Sequence, residues 1–559
     1  MRSLAASLLA VSLALPLAGQ EKLVESIEVR VVNVDVVVTD RSGNPVTGLT
    51  KDDFQLFENG KPQTITNIYE VRPETTTAAK PSVGGALEPA PAAAAPAPPP
   101  VEMRQRRLAL FVDNSSLGVF ERRKVLDALQ KFIQRDMRPG DEASLVAWNP
   151  GLRIVTPFTD DRKLLLAGLK EMSTHTTTAS DLQVQPELIK RRCNEYLESA
   201  KARDLTFPQA LDMCIGGVSA FSEELAHNAR NVLEAMRLTS TTLAGVDGKK
   251  VMVIAGAHLP ERPGLDLNMW AYQLFQQYMR GLNQMRAMTE TSHNLQTFSI
   301  EKFAKQANAD NVTVYIIDAA DARDVASAEN ASAVDPIEAY AKFTNTAMAY
   351  QTIASITGGV MVNSTNYDSA FNTIAKDLGY YYSLGYKPGD DAKAGDRKIV
   401  VKAKNPDYRI RSRETYQPKS SEEQINDRVI ANIYHSSVKS DWPIRIVTGA
   451  PVREGDRFRI PLQIAMDSNG VTLLPQEGQM VGGFNVYLAV GTDGGAMSKV
   501  SKSPQSVKVP ATAEKDLRAK PMTYDMSIVV RPGESTLSVA VVDQISNNSG
   551  FARTKIVAR

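Results

Sequence analysis

The 559-residue chain predicts a multidomain protein: a doubly wound α/β (Rossmann-like) domain flanked by an N-terminal β module and a C-terminal β-sandwich. Three observations carry this expectation. Between residues 104 and 379, apolar strands without polar alternation, among them LALFVD, VMVIAG and VTVYIID, are separated by amphipathic helical stretches. That is the pattern of a parallel sheet covered on both faces. On either side the chain changes to period-two patterning with Gly-, Asn- and Asp-rich turns, as in VRVVNVDVVVTD and RFRIPLQIAMD, which marks half-buried antiparallel strands. Finally, a Pro/Ala-rich stretch separates the first β segment from the α/β region.

Residues 1–20, MRSLAASLLAVSLALPLAGQ, place one arginine before an apolar run and small residues after it. The run is too short to span a bilayer and has the layout of a signal peptide. The chain is therefore expected to be exported, periplasmic or extracellular, with no membrane span in the mature protein. The formal net charge of +1 gives no electrostatic case for nucleic acid as a partner. The five histidines are scattered without a helical i, i+4 pair, which argues against a zinc enzyme.

Residues 21–72 read as strands and turns, with Asn59-Gly60 as the strongest hairpin signal. So short a unit has too little core of its own and is expected to pack against strands from elsewhere. Residues 73–103 form a linker in which proline and alanine repeats offer nothing to pack. Within 104–379, ERRKVLDALQKFIQRDM is a helix that stops before Pro139-Gly140, and an Asn-Pro-Gly turn joins two strands near residue 150. Helices are expected over 181–203 and 220–238, and a long Met- and Gln-rich helical stretch over 266–308. Residues 380–420 give an antiparallel meander that could supply the missing core of the N-terminal module. A helical connector, 421–439, leads to the β-sandwich of 440–559. No internal repeat is evident.

Residues 108–118, LALFVDNSSLG, end a buried strand on Asp113 beside two hydroxyls. Asp, Asn and Ser suit turns and helix caps. They also suit a ligand site at the carboxyl edge of a parallel sheet. Other chemistry is weaker. GGVSAF at 216–221 lacks the last glycine and the preceding strand of a nucleophile elbow, and DGKK at 247–250 lacks the spacing of a phosphate loop. Tyr380–Tyr382 read as strand residues with rings alternating between faces.

VDNSS after an apolar strand, the helix behind it, and GDEASLVAWNPGLRIVTPFTDDRKLLLAGL together resemble a von Willebrand factor A (VWA) domain. The flanks VVVTDRSGNPVTGLTKDDFQLFENGKPQTI and YYYSLGYKPGDDAKAGDRKIVVKAKNPDYRIRSRETY resemble a family of exported bacterial VWA-related proteins, so the resemblance covers residues 25–417. It implies a Mg²⁺ site made of an Asp-x-Ser-x-Ser loop, a threonine from a second loop and an aspartate from a third, a set of oxygen ligands suited to a hard cation. Asp113 and Ser115 match the first loop, but Leu117 stands where its second serine should be. STHTTTASD offers Thr174, Thr176, Thr177 and Thr178, among which the sequence does not choose; Thr176 joins Asp113 and Ser115 in the candidate ligand set. Ala255 stands near the position of the third-loop aspartate. The leading expectation is thus a degenerate site in which Asp113 and Ser115 cap the following helix and brace the loop. A Mg²⁺ site is the lesser alternative, as is a rebuilt one using Asp318 or Asp321, and no cofactor is expected.

Two cysteines so close in sequence in an exported chain, Cys193 and Cys214, favour a disulfide. The resemblance implies a non-enzymatic protein that binds a protein partner or mediates adhesion. Its alternatives are a structural scaffold of an envelope assembly and a Mg²⁺-dependent adhesin.

Overall fold

A computed structural model describes residues 31–72, 105–175, 179–257, 259–280, 300–319, 336–388, 395–435, 438–492 and 494–559. The signal-peptide segment, all of the Pro/Ala-rich stretch, Thr176 and Asp321 lie outside the described residues.

The N-terminal strands are β1 (Val32–Thr39), β2 (Phe54–Glu58), β3 (Lys61–Gln63) and β4 (Ile65–Val71). Asn59 and Gly60 take φ of 49° and 79° between β2 and β3, the left-handed pair that a two-residue hairpin demands.

The α/β region follows with β5 (Arg106–Asp113), α1 (Val119–Arg135), β6 (Glu142–Trp148), β7 (Leu152–Thr159), α2 (Arg162–Thr174), α3 (Ala179–Lys201) and α4 (Phe207–Ala244). It continues with β8 (Lys249–Gly256), α5 (Leu265–Gln276), α6 (Ile300–Ala309), β9 (Val312–Asp318), α7 (Pro336–Thr357), β10 (Met361–Asn363) and α8 (Tyr367–Gly379). Its six strands run in the order β10-β9-β8-β5-β6-β7, all parallel except the β6–β7 pair. β5 and β8 are buried at every position, as strands covered on both faces must be. One face carries α1, α2 and α8 through Leu129, Phe132, Leu169, Phe371 and Ile374. The other carries α4, α6 and α7 through Val232, Met236, Phe303, Tyr350 and Ile353. The chain turns from one side of the sheet to the other between β5 and β8, which makes their carboxyl ends the crevice where such sheets bind ligands.

The helix expected over 181–203 is α3, whereas the one expected over 220–238 is part of a longer helix, α4, of 38 residues, about 57 Å long. Thr206 starts it with a reciprocal capping box to Gln209, and Gly216-Gly217 do not break it because tertiary packing outweighs their low propensity. Its second half packs on the sheet. Its first half joins α3 and α5 in a separate core of Leu197, Leu211, Val218, Tyr272 and Phe275, stapled by a disulfide between Cys193 and Cys214, whose Cα atoms lie 4.9 Å apart. Because α4 descends toward the start of β8, this helical arm rises beyond the sheet's carboxyl edge.

After α8 come β11 (Tyr381–Tyr386), β12 (Arg397–Ala403), β13 (Arg409–Ser412) and β14 (Thr415–Tyr416). They interleave with the N-terminal strands as two four-stranded sheets, β13-β1-β11-β4 and β14-β12-β2-β3. Val34, Val36, Leu56, Leu384, Tyr386 and Ile399 form their shared core, and Arg397 of β12 pairs with Glu58 of the neighbouring β2 at 2.6 Å.

α9 (Ser421–Tyr434) then leads into β15 (Ile444–Thr448), β16 (Val452–Glu454), β17 (Arg457–Met466), β18 (Leu473–Gln476), β19 (Gln479–Gly491), β20 (Ser501–Pro510), α10 (Glu514–Arg518), β21 (Met522–Val530), β22 (Gly533–Asp543) and β23 (Ser549–Ala558). β15, β16, β17 and β21 form one antiparallel sheet, and β18, β19, β20, β22 and β23 another. Ile460, Ile464, Val486, Val539 and Val541 place both sheets around a common core. Val429, Ile433 and Tyr434 of α9 meet Tyr487, Ala540 and Phe551 in the same cluster as the α/β sheet, so the connector buries its apolar stripe on both neighbours.

Candidate functional site

The crevice between β5 and β8 is built from one row of residues crossing the sheet at its carboxyl edge. β-sheet register pairs Asp113 with Trp148, Gly256 with Asp318 and Asp318 with Asn363. Because Val112 pairs with Ala255, the next residues, Asp113 and Gly256, stand side by side. The row therefore reads Trp148, Asp113, Gly256, Asp318, Asn363. Residues in register on parallel strands present their side chains to the same face, so the two carboxylates flank a position without a side chain.

Asp113 is 3% exposed. Its Oδ1 accepts from the Ser115 backbone N–H at 2.9 Å and from Ser115 Oγ at 2.6 Å, a turn closed by its own carboxylate. Ser116 Oγ donates to the Asp113 carbonyl at 3.3 Å and accepts from the Ala257 N–H at 2.9 Å, tying the β5 loop to the β8 loop. The Asn114 N–H donates to the Trp148 carbonyl at 2.8 Å. Burial pushes the Asp113 carboxyl above its ordinary value, opposed by the hydrogen bonds from Ser115 and Ser116. Asp318, also 3% exposed, accepts from Asn363 Nδ2 at 3.1 Å.

Two expectations from the sequence are corrected here. Asp113 and Ser115 do not cap α1: the cap is Gly118, with no side-chain hydrogen bond, because the Asp113 carboxylate folds back onto Ser115 within its own loop. Ala255 does not face Asp113 either. Gly256 does, and a Cβ there would lie 2.9 Å from Tyr350 Oη, 3.2 Å from Asp113 Cβ and 3.4 Å from Ser116 Oγ. Tyr350, on α7, thus roofs the row, a residue sequence reasoning missed. It reads as an ordinary core residue of a helix, and only the sheet register reveals what lies under its hydroxyl.

These residues do not fit the cation site that the sequence resemblance implies. Both serine hydroxyls are engaged within the protein. Leu117 is fully buried and packs among Val125, Leu126 and Leu129, so it offers no oxygen. Thr174 is exposed and donates to the Glu171 carbonyl at 2.7 Å. Among the described residues, no three His, Cys, Asp or Glu side chains are grouped to hold a metal ion, and no helix is long and apolar enough to cross a membrane. Outside the row, Val119 and Phe120 in the first turn of α1 are 63% and 76% exposed.

No protein-family model matches the chain, and no curated protein matches it. Among solved structures it is similar to an aerotolerance-related membrane protein from Bacteroides fragilis, at 12% identity over 49% of this chain and 98% of that one, with a TM-score of 0.21. It is similar to BatB, a conserved hypothetical protein from Bacteroides thetaiotaomicron, at 11% identity over 49% and 96%, with a TM-score of 0.22. The pilus adhesin SpaC from Lactobacillus rhamnosus GG in its open conformation matches at 9% identity over 94% of this chain and 57% of that one, with a TM-score of 0.21. At such TM-scores these likenesses carry no argument about fold or function.

Proposed function

We propose that the chain is an exported, non-enzymatic VWA-like protein that binds another protein through the carboxyl edge of its six-stranded sheet, without a bound cation. The observation that carries this reading is the composition of that edge. Its polar row is held by internal hydrogen bonds from Ser115, Ser116 and Asn363, while Val119 and Phe120 project from the adjoining helix start into solvent. An engaged polar floor beside exposed apolar side chains suits a protein surface better than a metal or a small polar substrate. The stapled arm rising at the same edge adds area for such a partner.

The test is capture of a partner from envelope fractions by the wild type and by Phe120→Glu, each with and without chelator. Binding that survives chelation and is lost in Phe120→Glu is expected. Binding that chelation abolishes and Phe120→Glu retains would contradict the proposal.

A second reading, a scaffold, is supported by the cluster that runs from the α/β sheet through α9 into the C-terminal strands. Such continuity would hold several surfaces in fixed relation.

A further inference from the structure

Tyr350 is the unexplained group at the candidate site. Its side chain is 1% exposed, yet its hydroxyl has no hydrogen-bond partner among the described residues. A buried hydroxyl left so is costly and calls for a reason. Its ring is anchored in the sheet's core beside Ala349 and Ile353, so the hydroxyl is held in place. It lies above Gly256, between the row positions of Asp113 and Asp318.

We propose that Tyr350 stands in for a cation. Its phenol fills the gap above Gly256 and presents a neutral O–H dipole to the two flanking carboxylates, keeping the row closed to divalent ions. This deepens the cation-independent reading above and rests on it. Three features agree. Gly256 has no side chain, and any Cβ there would be crowded by the phenol oxygen. Burial, with the charges of Asp113 and Asp318, holds the phenol proton on far above the usual tyrosine range, so the dipole is permanent. Ser115, Ser116 and Asn363 supply the remaining donors to the row or its loops, so no cation is needed to order it. Removing the phenol would leave two carboxylates facing a space where water can enter, the donor type that Mg²⁺ and Mn²⁺ prefer.

The test is Mn²⁺ titration, by electron paramagnetic resonance, of the wild type, Tyr350→Ala, and Tyr350→Ala combined with Asp113→Asn, after circular dichroism has established folding. The expected result is at least tenfold tighter Mn²⁺ binding by Tyr350→Ala than by the wild type, abolished in the double variant. A folded Tyr350→Ala that gains no Mn²⁺ affinity overturns the proposal while leaving the cation-independent reading intact. A wild type that itself binds Mn²⁺ through Asp113 overturns both. Should Tyr350→Ala fail to fold, Tyr350→Phe decides, since it removes only the hydroxyl. Its melting temperature should fall further below the wild type at pH 8, where carboxylates carry more charge, than at pH 4. The groups facing the phenol there are Asp113 and Asp318, with Ser115, Ser116 and Asn363 around them. An equal deficit at both pH values overturns the proposal.

Discussion

At the scale of single residues, Asp113 shows how one side chain can look like a ligand and act as a brace. Its carboxylate is buried and accepts twice from Ser115, and burial raises its pKa. A carboxyl with a raised folded pKa imposes no penalty below its unfolded value near 3.9. As pH rises through the folded value the native state must give up a proton it prefers to keep, and stability is lost. Asp113→Asn keeps an acceptor for Ser115 and removes the charge. It should therefore melt at or above the wild type at pH 7, with the advantage shrinking as pH falls toward 4. Asp113→Ala leaves the loop donors without an acceptor and should lose about 1–3 kcal/mol at neutral pH. Denaturant melts of the two variants across that pH range check both statements. An Asp113→Asn that is destabilised as much as Asp113→Ala would mean that the charge itself is required.

At the scale of elements, the helical arm stands apart from the sheet that carries it. Cys193 and Cys214 close a loop of 21 residues, which in the chain-entropy model contributes about 3 kcal/mol. Replacing both by serine should speed hydrogen exchange in α3 and the first half of α4, whose core is their own. Protection in β5, β8 and β9, buried in different clusters, should stay unchanged. Exchange that rises equally in the sheet would show that arm and sheet unfold together.

Such elements also show what the sequence could and could not reveal. Period-two patterning and Asn59-Gly60 announce the β module, since alternation and a left-handed turn are local properties. The all-apolar runs of β5, β8 and β9 announce a doubly wound sheet because burial on both faces erases alternation. The continuity of α4 across Gly216-Gly217 is set by packing from α3 and α5, which no local pattern encodes. Asp113 and Ser115 were legible as a loop of interest from residue type alone. Gly256 and Tyr350 were not, because their roles arise from strand register and from a helix about 100 residues further along the chain.

At the scale of the whole molecule, buried polar groups and shared cores join parts that the sequence separates. Lys249 of β8 pairs with Asp35 of β1 at 2.6 Å, and Arg413 donates to Asn311 Oδ1, just before β9, at 2.8 Å, seating the β module on the amino edge of the α/β sheet. Beneath α9, Lys419 bridges Asp310 and Asp427 at 2.6 Å each. Nearby, Lys250, its pKa pushed down to about 8 by burial, donates to the Ala244 carbonyl at the end of α4. These seams gather at the edge opposite the candidate site. The carboxyl edge is proposed to bind its partner without a metal ion, and titration calorimetry of the full wild-type chain with Mg²⁺ and Mn²⁺, alongside melting in chelator, checks this. The expected result is no saturable binding up to about 1 mM, a range in which purpose-built divalent sites fill, and an unchanged melting temperature in chelator. Micromolar affinity that Asp113→Ala abolishes would contradict it.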